Sequence, residues 1–408
     1  MNVEIKKMLL TGLERKNQSV SQVSEILTID RSVINKYVNG QRIPNIEQIL
    51  KINEYLIDGM ANRHDALKII CEEMKSVWSL KIAIEIARYN RDENMVRSIA
   101  RKLRTASKPE VKEWADFYQL FTRFREGTIT QDEYYDQMIQ FKIRSTELEA
   151  YRQLSLAFYH FGIEGDLIKA YKTNQKAEVA VNKLDNSLLK RSYLSRLYGL
   201  YGALTLRLQN KEVAVSREYY QKCIDYSITE LTKSVYRYNL ATTYIFSDKE
   251  KAIEIMETEI AAWKKEEYFG GVAPLAHYLE DYTIITLKIF NGELETINVE
   301  EIHDECKILY YIHTGDLEQA KVIYKRLEPL AKEKPETLFS IPMYYLCGGI
   351  LYESTPLLFQ ALSKLVETYN LFEAKYAIDE LVKQGVSMDI IDAMISSKIG
   401  SDRIFIYS

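Results

Sequence analysis

Between Ser19 and Leu56 apolar residues recur at helical spacing more plainly than anywhere else in the chain. Val20, Val23, Ile26 and Leu27 step along one helix face, and Ser19 is placed to cap it. Thr28-Ile29-Asp30 interrupts the pattern and supplies a second cap. A second helix is predicted over Arg31 to Val38, with Val33, Ile34 and Tyr37 inward. It stops at Asn39-Gly40, where a residue with positive φ is tolerated. Gln41 to Asn45 leads into a further amphipathic helix with Ile46, Ile49, Leu50 and Leu56 on its apolar side.

This order of elements is that of a helix-turn-helix with a supporting helix. The residues left on its outer face suit DNA. A recognition helix needs long or bidentate hydrogen-bonding side chains near its N-terminus, because base edges in the major groove present fixed donor and acceptor patterns. Arg31 can pair with guanine, Asn35 with adenine, and Lys36 or Arg42 with phosphate, while Ser19, Gln22 and Ser32 complete the candidate DNA-binding set. The same residue types also serve on ordinary solvated helix faces, and both readings stand at this point.

Beyond residue 60 the pattern stays helical and begins to repeat, at about 38 to 44 residues per unit, each unit resembling two antiparallel helices. From Cys306 to Leu327, Tyr311, Gly315, Ala320 and Tyr324 occupy tetratricopeptide signature positions. Phe161, Gly165 and Ala170 repeat the spacing, and Tyr244 and Ala252 do so with a turn one residue shorter. Alanine lets two helices approach, glycine permits the turn, and the aromatics fill the groove between neighbours. The expected fold is therefore all-α: an N-terminal helix-turn-helix domain (1–60), a right-handed superhelix of degenerate tetratricopeptide-like repeats (61–385) and a C-terminal segment (386–408).

Stacked helix pairs curve, and the inside of the curve suits an extended peptide. Leu240 and Tyr244 are the expected packing residues of the segment Tyr236 to Tyr244, which turns Asn239 toward the concavity; a capping or interhelical hydrogen bond is the alternative for its amide. Arg196, Arg207 and Arg237 can meet a peptide carboxylate or form surface ion pairs. Tyr201 and Tyr278 are further candidate groove contacts. In the last segment, Val386, Ile390, Ile391, Met394, Ile395 and Ile399 share a face, followed by Arg403 to Tyr407. An apolar face on the final helix of a solenoid calls for an intramolecular cap or a partner, and Ile390, Ile391, Met394 and Ile395 are the candidate dimer contacts.

Composition narrows the class. The net charge of -4 divides into +6 through residue 108 and -10 beyond it. Lys75, Lys81, Arg88, Arg91, Arg97, Arg101, Lys102, Arg104 and Lys108 lie just past the helix-turn-helix, as flanking phosphate contacts or as a solvated face. The acidic remainder reads as a sensing or assembly unit. No apolar run approaches the roughly 20 residues that span a bilayer, and the N-terminus lacks a basic stretch followed by an apolar block, so a cytoplasmic protein without membrane contact is expected. Cys71, Cys223, Cys306 and Cys347 are scattered in apolar helical settings and read as buried free thiols. The five histidines form no metal motif, and no phosphate loop or nucleophile elbow occurs. No enzyme, cofactor or metal is expected.

The helix-turn-helix resembles phage-repressor-like domains. Its direct fusion to degenerate tetratricopeptide repeats resembles the peptide-pheromone receptors of Gram-positive bacteria and their phages, and within them the arbitrium receptors (AimR) of temperate Bacillus phages. The resemblance covers nearly the whole chain. It implies a homodimer in the bacterial host cytoplasm that binds double-stranded promoter DNA and controls lysis against lysogeny, with a short signalling peptide in the repeat groove changing that activity. A chromosomal quorum-sensing regulator of the same architecture and a protein-binding scaffold remain as alternatives. The peptide, the operator and the direction of regulation are not written in the residues.

Overall fold

The computed structural model describes residues 3–90, 92–208, 213–265, 283–333, 340–367, 370 and 372–399, and every regular element among them is helical. Five helices build the N-terminal end: α1 (Val3–Arg15), α2 (Val20–Leu27), α3 (Arg31–Val38), α4 (Ile46–Leu56) and α5 (Met60–Glu73). The sequence reading had no α1, although Ile5, Leu9 and Leu13 recur every four residues and are buried. Gly12 lets α1 lie on the end of α4, because a Cβ there would sit 2.0 Å from the Leu56 carbonyl oxygen.

The predicted caps form as expected. Ser19 Oγ accepts from the Gln22 backbone N–H at 3.3 Å, and the Gln22 side-chain oxygen accepts from the Ser19 N–H at 2.8 Å. Thr28 ends α2 at φ 54°, and the Asp30 carboxylate accepts from the Ser32 N–H at 2.7 Å to start α3. Asn45 caps α4 in the same way through the Gln48 N–H. One expected core residue fails: Ile26 is 51% exposed. The inward stripe of this eight-residue helix runs through Val20, Val23 and Leu27, which leaves Ile26 on its flank.

Seventeen further helices follow among the described residues. They are α6 (Val77–Tyr89), α7 (Glu93–Arg104), α8 (Pro109–Arg125), α9 (Gln131–Gln140), α10 (Thr146–Tyr159), α11 (Leu167–Asn182), α12 (Leu188–Leu208), α13 (Val213–Tyr226), α14 (Glu230–Thr242) and α15 (Lys249–Lys265), then α16 (Ile285–Asn291), α17 (Asp304–Thr314), α18 (Leu317–Glu333), α19 (Ile341–Leu351), α20 (Thr355–Glu367), α21 (Ala374–Lys383) and α22 (Met388–Ile399). Helices adjacent in sequence pack together, and α10 with α12 and α17 with α19 also touch, which is the contact pattern of stacked helix pairs.

All three repeat copies form such pairs. Gly315 at φ 82° turns α17 into α18, where Ala320 and Tyr324 are buried. Gly165 at φ 75° joins α10, extended by a π-helical turn, to α11 and its buried Ala170. Ala252 is buried where α15 meets α14. Gly348 and Gly349 are points of close approach, with the Tyr324 ring and the Leu358 side chain lying where their Cβ atoms would be. The four cysteines are buried and free.

One continuous apolar cluster runs from Ile5 to Tyr201, so the helix-turn-helix shares its core with the first repeats. A second runs from Ile289 to Ile395 and takes in α22. There the expectation for the C-terminus needs correcting. Ile391 and Ile395 are buried within the chain, in the cluster that α20 and α21 also line, so they cap the solenoid and are not available to a partner. Met394 packs partly on the same cluster, and Ile390 is 56% exposed. Residues 400–408 lie outside the described residues.

Candidate functional site

The first surface is the exposed side of α2 and α3. Arg31, Ser32, Asn35 and Lys36 are all exposed on α3, and Arg42 is exposed on the connection that follows. Neither Arg31, Lys36 nor Arg42 forms an ion pair among the described residues, so three cations are presented to solvent. Hydrogen bonds hold the Asp30 carboxyl below its usual range, first from the Ser32 side chain and then from the Ser32 N–H, which keeps the α3 cap charged. Beneath, Tyr37 is buried and donates to Asn53 Oδ1 at 2.9 Å, tying α3 to α4.

Two local bonds modify the expected contacts. Asn39 Nδ2 donates to the Asn35 carbonyl at 2.9 Å and to Asn35 Oδ1 at 3.0 Å. The Asn35 amide is thereby oriented, with its Nδ2 left for a base acceptor. Ser19 and Gln22 spend one face each on the capping box. The one local sign of the Asn35–Asn39 bond is the pair of asparagines four residues apart, a spacing that brings side chains together on any helix.

The basic run past the helix-turn-helix is largely consumed inside the fold. Arg97 pairs with Glu126, Arg104 with Asp116 at 2.7 Å, and Lys102 donates to the Cys71 carbonyl at 2.7 Å. Lys81 lies over the Trp114 ring and Arg88 over Phe121. For these five the structural role prevails; Lys75 lines a cleft with Gln41, Arg42 and Asn45. Arg91 lies outside the described residues.

The second surface involves α12 and α14, which meet where the Tyr236 ring lies against Gly199. Tyr236 and Tyr238 are buried, and Leu240 and Tyr244 pack against apolar clusters as expected. Arg237 and Asn239 remain partly exposed. The Asn239 side chain forms no hydrogen bond among the described residues. Arg237 is held by Glu259 at 2.5 Å and Glu230 at 2.9 Å. Arg207 stacks its guanidinium over Phe161 and donates to the Ala203 carbonyl at 3.3 Å.

Two candidates are turned inward instead. Arg196 is 8% exposed, and its Nε lies 2.7 Å from Glu85 Oε1 in a geometry that makes an ion pair but not a hydrogen bond. Burial alone would lower the Arg196 pKa, but Glu85 and the surrounding tyrosines raise it. Glu85 also accepts from Tyr118 at 2.7 Å and Ser192 at 2.9 Å. Arg196 is therefore a core ion-pair member and not a groove contact. Tyr201 is likewise buried and donates to Glu178 at 2.8 Å, stacked 5.2 Å from Tyr219. Tyr278 lies outside the described residues. Glu85 and Glu259 escaped the sequence reading, although each is a charge at an apolar position: Glu85 between Ile84 and Ile86, and Glu259 on the face of Met256, Ile260 and Trp263.

Residues 13–56 match a helix-turn-helix family, and residues 65–383 match the family described as AimR transcriptional regulator-like. No curated protein matches. Among solved structures, selenomethionine phAimR shares 17% identity and a TM-score of 0.73, over 96% of this chain and 100% of that one. The phAimR–ligand structure shares 17% identity and a TM-score of 0.65, over 84% and 98%. The all-helical repeat fold is common to these structures, and the family match spans most of the chain outside the helix-turn-helix. This chain belongs to the AimR-like family of transcriptional regulators.

Proposed function

We propose that this regulator binds operator DNA through α3 and that a short peptide, held in the repeat groove near Arg207, Arg237 and Asn239, gates that binding. The observation that carries the reading is the contrast between the two surfaces: among the described residues, α3 offers cations without ion pairs and an oriented asparagine, while α14 offers an amide without a hydrogen-bond partner. An amide of that kind can donate to and accept from a peptide backbone. The peptide must bind one receptor conformation better than another, since equal affinity would shift nothing. We read residues 1–60, 61–385 and 386–408 as the DNA-binding, sensing and terminal segments, in a cytoplasmic phage regulator of lysis and lysogeny.

Fluorescence anisotropy of labelled DNA flanking the protein's own gene, at 150 mM salt as a roughly physiological condition, tests this directly. Binding should weaken when the C-terminal peptide of the adjacent small reading frame is added, and Asn239→Ala should blunt that response at least tenfold, about 1.4 kcal/mol. Peptide-insensitive binding would refute the gating, and no binding at low salt would favour a scaffold.

We further propose a homodimer joined through the outer side of the C-terminal cap, because Met388 and Ile390 are about half exposed there while Ile391 and Ile395 secure the helix from within. Ile390→Glu should give a folded monomer by light scattering. A dimer that survives both Ile390→Glu and Met388→Glu would place the interface elsewhere.

A further inference from the structure

Five side chains of alternating charge lead from the helix-turn-helix to the sensing helix. Glu54, in the last turn of α4, has its Oε1 3.4 Å from Lys233 Nζ, although 179 residues separate them in sequence. Lys233 Nζ is also 3.5 Å from Glu230 Oε2. Glu230 Oε1 accepts from Arg237 Nη2 at 2.9 Å, and Arg237 Nε reaches Glu259 Oε1 at 2.5 Å. Residues 230, 233 and 237 are spaced three and four apart, so they line one face of α14.

The two ends of this chain differ. Glu259 is buried and also accepts from the Ser234 hydroxyl, which in turn accepts from Trp263 Nε1 at 2.8 Å. The Glu54 end is solvated, and beside it the seam between α4 and the start of α14 leaves a cavity of ≈ 60 Å³ lined by Leu50, Asn53, Glu54, Glu230 and Leu231. A water needs about 10–15 Å³ of such space. The cavity, which α5 and α6 also line through Met60, Arg63, Leu67 and Ile86, therefore has room for solvent beside the Glu54–Lys233 contact. Lys233 sits at nearly equal distances from its two carboxylates.

We propose that this charge chain transmits groove occupancy to the helix-turn-helix by carboxylate exchange. This rests on the reading of Arg237 as a groove contact. An incoming peptide carboxylate takes the Arg237 guanidinium from Glu230, Glu230 closes on Lys233, and Lys233 releases Glu54. The peptide carboxylate replaces Glu230 on Arg237, and the one pair lost, Glu54–Lys233, is solvated and 3.4 Å long, so the exchange is low in cost. Its direction is set because the bidentate Arg–carboxylate pair is stronger than the Lys pair. Freed of Glu54–Lys233, the helix-turn-helix loses its fixed orientation, and a dimer whose half-sites tolerate only certain separations binds DNA less well.

The full-length protein tests this without any peptide. Arg237→Gln alone should lower affinity for the upstream DNA three- to tenfold, because the unpaired Glu230 then captures Lys233. Glu230→Gln added to Arg237→Gln should restore affinity to within twofold of wild type, whereas Glu54→Gln should weaken binding and resist rescue by Glu230→Gln. A double variant as weak as Arg237→Gln would make Arg237 a merely structural residue and overturn the relay. A second measurement does not depend on DNA. The distance distribution between nitroxides at Gln41→Cys and Glu250→Cys should broaden in Arg237→Gln and narrow again in the double variant. An unchanged distribution overturns the relay even if the protein binds no DNA, which would itself refute the DNA-binding reading.

Discussion

Arg196→Met should lower stability by about 3–5 kcal/mol, the usual result of stripping one partner from a buried ion pair. Glu85 is 0% exposed and would be left with only the Tyr118 and Ser192 hydroxyls as donors. The methionine keeps most of the stem's packing between Tyr89 and Tyr151, over which the guanidinium now lies at 4.8 and 5.6 Å from the ring centroids. The loss is then chiefly electrostatic. Glu85→Gln combined with Arg196→Met should recover a large part of it, since replacing both members of a buried pair is far less costly than replacing one. Denaturant midpoints followed by far-ultraviolet circular dichroism decide the matter. A single variant that unfolds at the wild-type midpoint would show that the pair contributes nothing.

The pair also fixes geometry. Glu85 lies on α6, one helix beyond the end of the helix-turn-helix unit, and Arg196 lies on α12. Together with the continuous cluster from Ile5 to Tyr201, it fastens the DNA-binding end to the first repeats. A second approach between the two parts, at Glu54 and Lys233, is solvated and bordered by a cavity. One side of the junction is thus rigid and the other compliant.

How much of this could be read from the residues follows from physics. Helix bounds in the helix-turn-helix were legible because caps are local: Ser19, Asp30 and Asn45 each bond to an N–H two or three residues away. The repeat turns were legible because glycine at 165 and 315 answers to backbone conformation alone. The roles of Arg196 and Tyr201 were not, since their partners Glu85 and Glu178 stand 111 and 23 residues away and nothing local marks the pairing. The same holds for Ile391 and Ile395: periodicity shows that a face is apolar, not whether the chain or a second copy covers it. Charges set within apolar stretches, as at Glu85 and Glu259, were the available signal that a buried partner must exist.

Arg31→Ala should weaken operator binding about 5- to 150-fold, the loss of roughly 1–3 kcal/mol that accompanies removal of a bidentate base contact. Arg31 stands at the first position of α3, exposed and without an ion pair among the described residues. The loss should therefore be confined to cognate DNA, with nonspecific binding reduced only by one charge. Lys36, a turn further along, sits where it would meet phosphate, and Lys36→Ala should weaken all sequences alike and flatten the dependence of log K on log salt by about 1. Asn35→Ala should act as Arg31→Ala does but at a different base pair. Asn39 uses one lone pair of Asn35 Oδ1, so the second lone pair and Nδ2 remain for a bidentate pair with adenine. Titrations of cognate and scrambled duplexes over a range of salt separate these outcomes. If Arg31→Ala and Lys36→Ala gave the same salt slope and the same loss on both duplexes, α3 would be gripping the backbone only, and base recognition would have to come from elsewhere on the protein.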